Sequence, residues 1–103
     1  MAAPVAGANT QTPSTPETSI TVIPANQAGG YIVNPLTSED QGLDTNEVLY
    51  VDQVGPARTA ANGTTIALQP GQSYSVIPFT LTPVTASSKS ASHKFTAVCW
   101  PTA

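Results

Sequence analysis

The side chains able to do covalent or metal chemistry are few in this sequence. His93 is the sole histidine and Cys99 the sole cysteine. A hydrolytic triad needs a nucleophile, a base and an orienting carboxylate. Ser90 or Ser92 with His93 and Asp52 is the one set of types available, and no nucleophile-elbow motif accompanies it. His93 therefore reads as a loop or strand-start residue that covers a sheet edge or meets a neighbour. A zinc site needs three or four His, Cys, Asp or Glu ligands, and His93 and Cys99 supply two on non-matching faces. Glu39, Asp40, Asp44 and Glu47 offer oxygen atoms to a hard cation, but without the EF-hand spacing; a solvated polar loop is the simpler reading. Gly29-Gly30 is a turn and not a phosphate loop, and Asn62-Gly63-Thr64 matches a glycosylation acceptor only formally. No enzyme activity, metal or cofactor is expected.

Charge narrows the classes further. Charged residues make up 9% of the chain, against roughly 25% in an average soluble domain. Arg58, Lys89 and Lys94 are the only basic side chains, in a formal net charge of −3, which is too few to neutralise several phosphates. Nucleic acid is excluded as a partner. No apolar run is long enough to span a bilayer, and Met1–Thr18 lacks the basic and apolar regions of a signal peptide. Cys99 reads as a small buried hydrophobe on the last strand. The aromatic residues Tyr31, Tyr50, Tyr74 and Trp100 read as core or interface anchors, with a glycan or peptide groove as the alternative.

The elements that must position these residues are short strands. Residues 1–18 (MAAPVAGANTQTPSTPET) have no periodicity, and Pro4, Pro13 and Pro16 exclude a long helix. This stretch is expected as an extended arm that crosses onto another subunit. Val5, Thr10, Gln11, Thr12, Pro13 and Pro16 would carry the contact, with Thr10–Thr12 adding a strand to a neighbour's edge. Residues 19–103 form the body. Strands are predicted over 19–23, 31–33, 47–52, 64–68, 72–77, 79–81, 84–85 and 94–100, with a flexible loop over 86–92. Turns fall at Gly55-Pro56, Asn62-Gly63 and Pro70-Gly71. The stretch 64–77 reads as a β-hairpin turning at Pro70-Gly71, with Gly71 at positive φ. No window of twelve residues has helical apolar spacing free of Pro or Gly. The expected fold is all-β, a small β-sandwich with a barrel as alternative, in seven or eight strands. In the last strand, Phe95, Ala97 and Cys99 share one face; Val98 and Trp100 share the other. Tyr50, Val98 and Trp100 are the candidate interface residues of the body.

Three pieces in order carry a resemblance. They are Gly55-Pro56-Ala57 after Val51-Asp52, then Asn62-Gly63-Thr64 through Leu68-Gln69-Pro70-Gly71-Gln72-Ser73, and His93-Lys94-Phe95-Thr96-Ala97-Val98. Over about half of the chain, these are similar to small β-sandwich virion proteins of tailed bacteriophages that decorate or cement the capsid. The resemblance implies no enzyme activity, many copies per particle on the capsid exterior, and as partners the major capsid protein, other virion subunits or further copies of the chain. Two other classes compete. One is a carbohydrate- or host-receptor-binding module of a head or tail fibre. The other is an accessory domain of an extracellular bacterial assembly.

Overall fold

A computed structural model of the chain describes residues 3–35, 47–60 and 62–102. Among them run eight strands: β1 (Val5–Ala6), β2 (Ile20–Ile23), β3 (Gly29–Val33), β4 (Leu49–Asp52), β5 (Ile66–Leu68), β6 (Ser73–Ser75), β7 (Val84–Ser87) and β8 (Thr96–Trp100). They form two four-stranded antiparallel sheets, in the orders β1-β8-β3-β6 and β2-β7-β4-β5. This is the expected all-β architecture, consistent with a small β-sandwich. The acidic stretch with Glu39, Asp40 and Asp44 lies outside the described residues.

Alternation builds the core. Along the last strand Phe95, Ala97 and Cys99 are buried, Thr96 is exposed, and Val98 and Trp100 are half-buried, so Phe95 and Trp100 fall on opposite faces as predicted. From the other sheet, Leu49, Val51, Val84 and Ala86 point inward with no exposure, and Ile32, Val22 and Ile23 join them. Val22 and Ile23 are consecutive yet both buried, because β2 carries a register shift between Thr21 and Ile23. Such a bulge turns a second side chain inward. Each large aliphatic group here contributes roughly 1.5 to 3 kcal/mol by leaving water.

The predicted hairpin over 64–77 is not formed. β5 pairs with β4 (Leu49 opposite Leu68), whereas β6 pairs with β3 (Ile32 opposite Tyr74). The turn itself is as expected. The Gln72 N–H donates to the Gln69 carbonyl at 2.9 Å, and Gly71 has φ +89°, the left-handed third position of a type II turn. It is a corner that carries the chain from one sheet to the other. Leu68 and Val76 both reach the shared core from opposite sides, so a corner and a hairpin produce the same alternation in sequence. Gly71→Val is expected to cost 1 kcal/mol or more, since a β-branched residue is strained at positive φ; urea unfolding measures it, and an unchanged midpoint would show that the corner relaxes.

Three further expectations are corrected. Residues 79–81 are not a strand: Phe79 has φ +57° and Leu81 is 95% exposed. The stretch from 86 is not a free loop, because Ala86 and Ser87 end β7 and Ser88 is buried with its hydroxyl bonded to Ser90. The N-terminal stretch does not stand apart from a body beginning at residue 19. Residues 3–18 lie on the chain's own sandwich, in a seam between β8 and β2. Val5 and Ala6 pair with Cys99 and Val98. Beyond them, the Gly7 N–H donates to Ala97, the Ala8 N–H to Val22, and the Asn9 amide to Thr21. Gln11 bridges Lys94, and Thr12 and Pro13 bond His93 and Ser92. The physical reason is that β8 and β2 are adjacent to open edges, whose unpaired N–H and C=O groups this extended stretch satisfies. The pairing foreseen at Thr10–Thr12 is present, but with this chain's own edge.

Candidate interaction surfaces

One end of the sandwich is organised by two consecutive buried polar residues. Asp52, 2% exposed at the end of β4, takes four hydrogen bonds. Its Oδ1 accepts the N–H groups of Val54 (2.7 Å) and Gly55 (2.9 Å), and its Oδ2 the hydroxyls of Thr64 (2.7 Å) and Thr65 (2.9 Å). Burial pushes its pKa up, but the bonds from Thr64, Gly55, Val54 and Thr65 more than offset this and hold it at about 2. A carboxylate so satisfied is a structural anchor and not a base. Its folded value lies below the unfolded one of roughly 3.9, so its stabilisation is complete above that value and is lost as pH falls toward 2. Asp52 is expected to contribute roughly 2 kcal/mol at neutral pH. Urea unfolding of the Asp52→Asn variant at pH 7 and at pH 2.5 checks it: the gap from the parent chain should narrow at the lower pH, and a constant gap would place the effect elsewhere.

Gln53 frames what lies above. Its Oε1 accepts the Ile77 N–H at 2.9 Å and the Tyr74 hydroxyl; its Nε2 donates to the Ile77 carbonyl at 2.9 Å and to Thr80 Oγ1 at 3.1 Å. The Gln53 carbonyl accepts the Thr82 hydroxyl at 2.6 Å. From the other side, Asn26 donates to Thr80 and Phe79 to Gln27 through the backbone. The loop 77–83 is therefore pinned on two sides. It nevertheless presents Ile77 (58% exposed), Phe79 (66%) and Leu81 to solvent, beside Val54 (67%). At its foot lies a cleft of about 220 Å³ lined by Val54, Gly55, Pro56, Thr82, Pro83 and Thr85. Residues 53–57 and 77–87 contain no charged side chain. A fixed, uncharged set of protruding apolar groups beside an apolar cleft is suited to excluding water against another protein surface.

The opposite end is closed by Asn34 and His93. Asn34 is fully buried. Its Nδ2 donates to the carbonyls of Glu47 (2.9 Å) and Leu68 (2.8 Å), so Oδ1 is the acceptor facing His93 Nε2 at 2.9 Å, and that ring nitrogen carries the hydrogen. The backbone of Asn34 also bonds Gly71 and Gln72, which ties the sheet-to-sheet corner down. Asn34 carries no sign of this role in the local sequence.

The residues considered for catalysis are not brought together. Asp52 is committed to Thr64, Thr65 and the turn at 54–55, His93 to Asn34 and Thr12, and Ser90 to Ser88. Among the described residues, no group of three or more His, Cys, Asp and Glu stands close enough to hold a metal ion. Cys99 is buried, and burial pushes its thiol pKa up. Asn62 serves as the turn residue expected, its Oδ1 accepting the N–H groups of Thr64 and Thr65 beside Gly63 at φ +89°. Of the candidate interface residues, Val98 and Trp100 share the outer face of one sheet, where Trp100 packs on Tyr31 with ring centroids 6.0 Å apart. Tyr50 lies on the other sheet, opposite Ala67 and Ser87, and does not join them. Ile77 falls at the end of the predicted strand 72–77, and Phe79 and Leu81 in the predicted strand 79–81; their apolar groups, broken by Pro78 and closed by Pro83, read as ordinary strand residues. The chain matches no family model, no curated protein and no solved structure.

Proposed function

We propose that the chain is a non-enzymatic structural subunit that decorates or cements the exterior of a bacteriophage capsid, docking on the major capsid protein or another virion subunit. The observation that carries this reading is the pinned apolar end formed by Val54, Ile77, Phe79 and Leu81. Large apolar side chains in water favour association, and here their loop is already ordered, so little conformational entropy is lost on docking. The sparse charge of the chain fits a protein that works packed against neighbours. The partner surface is correspondingly apolar and uncharged at its centre.

Co-sedimentation with purified particles tests it. The parent chain is expected to bind, and Leu81→Asp to bind about 10- to 100-fold more weakly, as burial of one such side chain is worth roughly 1.5 to 3 kcal/mol. Because Leu81 is exposed, the variant keeps its circular dichroism spectrum. Absence of the parent chain from particles, or equal binding by the variant, would overturn the proposal. The glycan-binding alternative has the Tyr31–Trp100 pair in its favour. The rings are tilted by 51°, and the strand positions that share their face, Val33, Val98, Thr96, Ser73 and Ser75, include no amide or carboxylate, which is a poor platform for a sugar.

A further inference from the structure

The seam that holds the N-terminal segment is a slot of defined shape. A side chain at Gly7 would meet Ala97 Cβ and the Val22 carbonyl oxygen at 2.8 Å each, so the backbone passes closely between β8 and β2. Nearly all the contacts holding residues 5–13 are backbone bonds, and Thr12 is the only buried side chain in residues 3–18. The segment is therefore recognised through strand edges that every copy of this chain presents identically.

What fixes the segment to its own body is the hinge at 14–18. Its side chains are exposed, it follows Pro13 and contains Pro16, and Glu17 sits at φ +64°, a strained conformation for a non-glycine residue. One backbone bond, Glu17 N–H to Ser88, one side-chain bond, Thr59 to Glu17, and one bond within the hinge, the Thr18 hydroxyl to the Thr15 carbonyl, hold it folded. Opening the hinge relieves the strain and leaves every contact of residues 5–13 available in a second molecule.

We propose that the slot between β8 and β2 accepts the N-terminal segment of a second copy of this chain, so that copies join by strand exchange. Five extended residues reach about 17 Å, less than the smallest extent of the molecule, 21 Å. The two slots must therefore lie side by side, with the β8–β2 seams facing each other. Closed and exchanged forms make the same slot contacts, so hinge strain and concentration set the balance between them. Residues 3–16 carry no charge, so the exchanged segment meets no ionic repulsion. This inference rests on the seam and hinge, not on the apolar end at residues 77–81.

Val5 stands directly opposite Cys99, at the separation of antiparallel partners, which a disulfide can span. A Val5→Cys variant of the full chain therefore reports whose slot the segment occupies. It is warmed under reducing conditions to let hinges open, cooled at low or high protein concentration, oxidised, and run on a denaturing gel without reductant. Monomers at low concentration and disulfide-linked dimers or ladders at high concentration are expected, with linked species falling several-fold when Glu17→Gly is added. Intrachain-linked monomers alone at every concentration would overturn the proposal, as would dimers in solution that the disulfide does not link. If the cysteine variant loses its β-sheet spectrum, chains that keep Val5, in two isotopic masses and with either Gly7 or Gly7→Val, are warmed and cooled the same way and weighed by native mass spectrometry. Mixed-mass dimers of the Gly7 chain that disappear with Gly7→Val support exchange. Monomers only, or dimers that survive Gly7→Val, overturn it.

Discussion

Replacing Gln53 by alanine is expected to lower stability by about 2 to 4 kcal/mol and to free the loop that carries the exposed apolar groups. The side-chain amide of Gln53 acts as a short piece of strand edge: it accepts from the Ile77 N–H and donates to the Ile77 carbonyl, and it also holds Tyr74 and Thr80. Alanine leaves these groups without their partner. Each such loss costs about 1 to 3 kcal/mol when the group is fully dry, and less where water reaches it, as it does at the exposed Ile77. The Tyr74 phenol pKa is raised, first by burial and then by the nearby Asp52 carboxylate, so it remains a donor at neutral pH and loses its acceptor. Two measurements separate the global from the local effect. Urea unfolding gives the stability, and limited proteolysis gives the order of residues 77–83. A Gln53→Ala variant that keeps both parent values would show that the clamps from Gln27 and Asn26 hold the loop unaided. Loss of particle binding together with loop order, in a chain that is still folded, would connect the clamp to the docking role proposed for this end.

The sequence read correctly wherever local pattern and burial coincide. The alternation of Phe95 through Trp100, the β-branched run at 20–23, and the turn chemistry of Asn62-Gly63 and Pro70-Gly71 each depend on neighbours in the chain, and each is present. It misled where partners are chosen at long range. Thr64 to Ile77 satisfies the grammar of a hairpin, yet β5 and β6 belong to different sheets because Leu49 and Ile32 are better placed to pair with them. The Pro- and Thr-rich start has too few apolar groups to predict a place in the fold, since its attachment is made by backbone atoms that look the same in every sequence. The organising side chains, Asn34 and Gln53, were invisible for a related reason. An amide beside a turn reads as loop solvent, and only the fold reveals that its hydrogen-bonding positions meet backbone and side-chain groups from distant segments. Residues 79–81 read as a strand because nothing local distinguishes an apolar run that packs from one held outward by a clamp elsewhere in the chain.

Asn34→Ala is expected to be the most damaging single polar substitution at the other end, lowering stability by about 3 to 5 kcal/mol. The carbonyls of Glu47 and Leu68 lose their donor, and His93 Nε2 loses its acceptor, all at a site where Asn34 has no exposure. Three buried groups left unpaired account for this magnitude, at about 1 to 3 kcal/mol each with partial relaxation. Against a total of roughly 5 to 15 kcal/mol for a domain of this size, such a loss removes much of the margin. At roughly 4 to 8 °C per kcal/mol, the thermal midpoint should fall by about 15 °C or more. The effect should be coupled to His93 because the two side chains share a bond. In a double-mutant cycle with His93→Ala, the combined loss should fall short of the sum of the single losses by about 0.5 kcal/mol or more. His93 in turn bonds Thr12 through its backbone N–H, at 2.8 Å, so the same network reaches the N-terminal segment. Hydrogen exchange in the Asn34→Ala chain should then speed up at Gly71, whose N–H donates to the Asn34 carbonyl at 2.6 Å, and at Thr12, whose N–H donates to the His93 carbonyl at 2.9 Å. Faster exchange at Gly71 alone would mean that the corner and the N-terminal segment open independently. Faster exchange at both would make Asn34 the point through which the corner between the sheets and the seam beside β8 are held as one unit.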